Sequence, residues 1–146
     1  MHMKEQRSLA LRFVLGFSIG GFLFSGYLSA VKIFSGACAF NEECPIIWGQ
    51  PACVYGFLLY ATLLALAVLA WQKRLMLRSS FVALSGVAFL GILFSGYLTA
   101  IEVPALLDKG FSAYTFGVPT CFLGLVFFML TFVSAGLGFA HNKDKE

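Results

Sequence analysis

The chain has 146 residues, 60% of them hydrophobic and only 12% charged, with a net charge of +3. A mean hydropathy of +0.87 excludes a soluble globular domain and leaves a membrane protein, a single domain over 1–146 with the lipid bilayer as its first partner. The basic residues lie in short clusters beside apolar runs, which is a topology signal and not a nucleic-acid surface.

A bilayer core about 30 Å thick takes roughly 20 apolar residues of helix. Four stretches reach that length, approximately Phe13–Phe34, Pro51–Trp71, Phe81–Val103 and Phe116–Ala140. The first is too long for a cleavable signal peptide and shows no distinct small-x-small cleavage site. It holds Leu23-Phe24-Ser25-Gly26-Tyr27-Leu28-Ser29-Ala30, and the third holds Leu93-Phe94-Ser95-Gly96-Tyr97-Leu98-Thr99-Ala100. Seven of those eight positions are identical, at a spacing of 70 residues.

A second match heads the other two stretches. Gly49-x-Pro51-x-Cys53-x-x-Gly56 recurs as Gly117-x-Pro119-x-Cys121-x-x-Gly124, with 68 residues between the cysteines. Proline suits the first turn of a helix, so each copy reads as a helix entry with a thiol about one turn in. There the positive end of the helix dipole favours nucleophilic sulfur. A half-buried cysteine at a helix start is also often a packing residue, and that reading stays open.

The expected fold is an all-α bundle of four transmembrane helices. It is built from two tandem helical hairpins, about 13–71 and 81–140, related by a pseudo-two-fold axis along the membrane normal. Ser25-Gly26 and Ser95-Gly96 are expected to let the first and third helices approach at the centre, as small residues do in lipid. Tyr27 and Tyr97 read either as membrane-belt residues or as ligand contacts. Lys32 and Glu102 occupy equivalent positions, where opposite charges could meet across the axis. The second and fourth helices carry no charge through the bilayer, which argues against a pump or ion channel.

Lys4, Arg7 and Arg12 precede the first helix, Lys73, Arg74 and Arg78 separate the second from the third, and Lys143 and Lys145 follow the fourth. The two other connections carry Glu42, Glu43 and Asp108 against Lys109 alone. Both termini are therefore expected in the cytoplasm and all four cysteines outside it, in an integral protein of a bacterial inner or plasma membrane. In such a compartment sulfurs pair. The preferred pairing is Cys38 with Cys44 in the first loop and Cys53 with Cys121 between the repeats. By loop entropy these would contribute roughly 2 to 2.5 and 4 to 4.5 kcal/mol. Zinc or an iron–sulfur cluster is disfavoured by irregular cysteine spacing, so no metal is expected. Ile46, Ile47 and Trp48 are apolar enough to hold the loop against the bilayer surface.

Four helices, a loop cysteine pair, the Ser-x-Tyr-Leu-[Ser/Thr] element, a Gly-x-Pro entry to the second helix and a cysteine opening the fourth together resemble the vitamin K epoxide reductase family. The resemblance implies a quinone held near the outer face, a Cys-x-x-Cys pair that reduces it, and a loop pair that receives electrons from a thioredoxin-like extracytoplasmic partner. By position, Cys121 matches the first cysteine of that pair and Cys38 with Cys44 the shuttle. The second active cysteine falls at Gly124, a departure from the family, and Cys53 could take its place across the axis. The expected function is a thiol–disulfide oxidoreductase in which Cys53 or Cys121 exchanges with the loop disulfide and electrons end on a quinone held by Tyr27, Tyr97, Trp48 and Tyr55. The alternative is a non-catalytic bundle, for ligand binding, transport or partner binding, braced by structural disulfides.

Overall fold

The computed structural model describes residues 2–36, 46–72, 76–110 and 120–143. Four helices make up nearly all of it: α1 (His2–Ser35), α2 (Ala52–Trp71), α3 (Leu77–Lys109) and α4 (Thr120–Lys143). Each is long and apolar enough to cross a membrane, over Ser8–Ser35, Ala52–Trp71, Arg78–Pro104 and Thr120–Ala140. The chain is an all-α integral membrane protein of four spans, as its composition requires. Large apolar side chains such as Leu23, Leu58, Leu90 and Val133 face outward, where lipid is the only medium that accepts them.

Two helix ends differ from expectation. α1 begins at His2, not near Phe13, because nothing in its basic first turns breaks a helix; at 34 residues it is about 51 Å long by the helical rise and exceeds the bilayer core. α3 passes through Pro104 and ends at Lys109. Proline there removes one hydrogen bond near an exposed helix end, which shortens the ladder without ending it.

The helices form a ring in chain order, with α1 packed on α2 and α4, and α3 packed on α2 and α4. α1 and α3 are thus diagonal, and the expected close approach between them at Ser25-Gly26 and Ser95-Gly96 does not occur. Gly26 instead faces a ring of α2 and Gly96 the Leu125 side chain of α4, and other glycines of α1 and α3 seat rings more tightly. A Cβ at Gly21 would overlap the Tyr60 ring, one at Gly91 the Phe128 ring, and one at Gly26 would lie 3.2 Å from Phe57. Lacking a hydrophobic drive between helices in lipid, the bundle gains cohesion from this close ring-on-backbone contact.

Positions matched by the internal repeat share their burial. Val14 and Leu84, Ser25 and Ser95, Leu28 and Leu98, Leu63 and Thr131, and Ala67 and Ala135 are all buried. Gly21 serves Tyr60 as Gly91 serves Phe128. The buried hydroxyls of Ser25 and Thr131 donate to Gly21 and Phe127 carbonyls one turn back, 2.7 and 2.8 Å away, which satisfies them inside their own helix.

Between α1 and α2, the two-residue strands β1 (Ile46–Ile47) and β2 (Gln50–Pro51) pair antiparallel, Ile46 opposite Pro51 and Ile47 opposite Gln50. Trp48 and Gly49 form the turn with φ of 49° and 80°. Two successive positive φ values make the type I′ geometry that matches strand twist. Glycine adopts it freely, whereas a tryptophan there is uncommon.

Candidate functional site

At the end of the bundle that carries this hairpin, the four helices surround a half-open, largely apolar cleft with a cavity volume of about 60 Å³. Pro51 is the N-cap of α2, with φ −67° and ψ 142°, so Cys53 is the second residue of that helix. Cys121 is likewise second in α4. Both thiols sit in the first turn, nearer the helix start than expected. Neither first turn holds an acidic side chain of its own, so each helix start presents free N–H groups beside its cysteine.

Both cysteines line the cleft and both are half-buried. The structure does not join them: the expected Cys53–Cys121 disulfide is absent, and each sulfur is a thiol. α2 and α4 are diagonal in the ring and meet through Tyr60, whose ring stacks on Phe128 and whose hydroxyl reaches the Gly124 carbonyl. Cys38 and Cys44, and with them the expected loop pair, lie outside the described residues, as do residues 117–119. Among the described residues no group of three or more histidine, cysteine or acidic side chains could hold a metal.

The repeat is broken at one pair of positions. Glu102 of α3 lines the cleft and its Oε1 accepts a hydrogen bond from Cys121 Sγ at 3.6 Å. Lys32, at the equivalent position of α1, turns away and donates from Nζ to the Gly36 carbonyl at 3.1 Å. Electrostatics explain the split. A carboxylate is stabilised beside the positive start of α4, whereas an ammonium is repelled from the start of α2 and attracted to the negative end of its own helix. The expected meeting of Lys32 and Glu102 is replaced by these two separate contacts.

The cleft floor is aromatic. Tyr60 and Phe128 are buried and stacked, and the Tyr60 hydroxyl donates to the Gly124 carbonyl at 2.8 Å. Ser25, Ser95, Leu28, Leu98 and Phe94 complete the walls. Gly124 itself faces the cleft, and a Cβ there would lie 3.8 Å from Ser95 Oγ, an ordinary contact.

None of the four residues expected to hold a ligand lines this cleft. Tyr27 and Tyr97 are 57% and 65% exposed on the outer surface of the bundle. Trp48 stands at the hairpin tip, 93% exposed. Tyr55 donates from its hydroxyl to the Ile47 carbonyl at 3.1 Å and packs its ring 6.0 Å from Phe94, so it ties the hairpin to α2 just outside the cleft. The residues that do line it, Tyr60, Phe128 and Glu102, were visible in the chain in two ways. The first two are matched by the 68-residue register, and Glu102 is an acid within an otherwise apolar helix.

No protein-family model, curated protein or solved structure matches this chain.

Proposed function

We propose that this protein is a membrane-embedded thiol–disulfide oxidoreductase whose Cys53 and Cys121 act as a dithiol on a lipid-soluble quinone. The observation that carries the reading is the convergence of two half-buried thiols and one carboxylate in a single apolar cleft. Thiols at helix starts are suited to exchange, and an apolar, aromatic-floored cleft suits a flat, lipid-soluble ring.

Cys53 and Cys121 lose two protons and two electrons and form one S–S bond, and a quinone taking up both becomes the quinol. A thiolate from the loop, Cys38 or Cys44, then attacks that disulfide. The Cys53–Cys121 dithiol returns and the oxidised pair moves to the loop, where a thioredoxin-like dithiol partner reduces it. In this reading the cysteine end of the bundle is extracytoplasmic, in a bacterial inner or plasma membrane.

Gly124 favours a second reading, because it leaves no Cys-x-x-Cys pair. There the cleft binds an apolar ligand and the cysteines only pack. One assay separates the two. The purified chain in lipid nanodiscs is incubated with a short-chain quinone and its cysteines are trapped with a mass-tagged maleimide. Loss of two thiols for each quinol formed, abolished by Cys121→Ser and by Cys53→Ser, is the expected result. Thiols that stay fully alkylatable in excess quinone would remove the oxidoreductase reading.

A further inference from the structure

The duplication presents two cysteines at equivalent helix starts, yet the repeat places a carboxylate beside one and a lysine on the side of the other. Glu102 Oε1 lies 3.6 Å from Cys121 Sγ, and its Oε2 is buried. Glu102 lies two residues from the end of the apolar span and is half-buried, so it meets the Cys121 thiol at the mouth of the bundle. The matched residue, Lys32, turns its ammonium to the Gly36 carbonyl and does not line the cleft.

Oxidising a dithiol releases two protons, and reducing a quinone consumes two. In open water the solvent carries them. In a largely apolar cleft a protein group in contact with the reacting sulfur speeds the proton transfer. Among the described residues lining the cleft, the ionisable groups are Cys53, Tyr60, Glu102 and Cys121. Tyr60 is committed to the Gly124 carbonyl. Of the groups beyond the cleft, Tyr55 donates to Ile47, Lys32 donates to Gly36, and Asp108 is exposed further along α3. Glu102 is the carboxylate of the cleft lining, and it accepts directly from a thiol.

We infer that Glu102 is the proton carrier of the site: its carboxylate takes the Cys121 thiol proton as the Cys53–Cys121 bond forms and passes it to the quinone, and in the reverse half it takes a proton from the incoming loop dithiol and hands it to Cys121. In the forward step Cys121–SH and Glu102–COO⁻ become Cys121–S⁻ and Glu102–COOH. Cys121 and Cys53 then give up two electrons to the quinone as the S–S bond closes, and the carboxyl proton and the Cys53 thiol proton both end on the quinol. The two cysteines are therefore unequal in role although equal in position. This inference rests on the oxidoreductase reading above.

The rival explanation is that Glu102 only caps the start of α4. Two readouts on the full chain in nanodiscs separate them. The first is the S–H stretching band of Cys121 by infrared difference spectroscopy against Cys121→Ser; hydrogen bonding to a carboxylate shifts it, and Glu102→Gln should move it back toward the band of an unassisted thiol. The second is the rate of dithiol oxidation by a short-chain quinone. A carboxylate that moves a proton in the rate-limiting step contributes about 10²-fold or more, so Glu102→Gln should lose about that much while Glu102→Asp keeps part of it. Added acetate should restore part of the rate to Glu102→Ala.

A band that moves in Glu102→Gln with an unchanged oxidation rate would overturn the inference and leave a helix cap. So would a band that does not move. A wild-type chain that quinone fails to oxidise is a different result, and it removes the oxidoreductase reading itself.

Discussion

Tyr60 and Phe128, equivalent residues of the two hairpins, stack on each other with ring centroids 4.2 Å apart and planes 12° from parallel. The two residues are matched by the 68-residue register of the repeat. The pair joins α2 to α4 across the ring and closes the floor of the cysteine cleft. Truncating either ring to alanine should cost about 3 to 5 kcal/mol, the range for emptying a buried aromatic site. Tyr60→Phe keeps the stack and loses only the bond to Gly124, so it should cost about 1 kcal/mol. Reversible unfolding in a single detergent measures both. Equal losses in Tyr60→Phe and Tyr60→Ala would mean that the hydroxyl, not the stacked ring, holds the centre.

The glycines under those rings give a paired test of the duplication. A methyl at Gly21 overlaps Tyr60 and one at Gly91 overlaps Phe128, while Gly86 has nothing within 4 Å of a built Cβ. Gly21→Ala and Gly91→Ala should each destabilise by about 1 to 3 kcal/mol through overpacking. Gly86→Ala should be neutral or gain up to about 1 kcal/mol from helix propensity. Thermal melts of the three variants decide it; a harmless Gly91→Ala beside a damaging Gly21→Ala would show that the hairpins are packed by different rules.

Gly124 stands three residues after Cys121, where a Cys-x-x-Cys pair would carry its second cysteine. The space above it is open to an ordinary side chain, with Ser95 Oγ 3.8 Å from a Cβ. Gly124→Cys should therefore fold with stability within about 1 kcal/mol of the parent, as a substitution that fills free space without strain. It also completes a Cys-x-x-Cys pair that begins at Cys121 in the first turn of a helix, where such pairs are redox-active. Quinone-driven loss of thiols should then proceed in a Cys53→Ser background that is otherwise inert. Failure to restore it would separate the cleft from quinone chemistry even though the fold is intact.

Much of this molecule is legible in the chain. Bilayer thickness sets the number and length of apolar runs independently of how they pack, so four spans follow from counting. A repeat of near-identical octamers together with a repeated Gly-x-Pro-x-Cys entry likewise identifies two hairpins and puts Cys53 and Cys121 at matching helix starts. Neither inference needs to know which face of a helix meets which neighbour.

What required the folded ring was everything that depends on facing. In an all-apolar helix the sequence period carries no contrast between core and lipid, so by sequence Tyr27 and Tyr97 are as eligible for the site as Tyr60. Only packing turns the first two outward and the third inward. The same holds for Ser25-Gly26, where Gly26 seats a ring from the adjacent helix and does not join α1 to α3. Glu102 and Lys32 are equal by register, and their different fates come from fields that exist only once α4 and α2 start beside them. Hydrophobicity is additive along a chain and can be read from it; directionality, contact and local field are properties of neighbours, which the tertiary structure alone brings together.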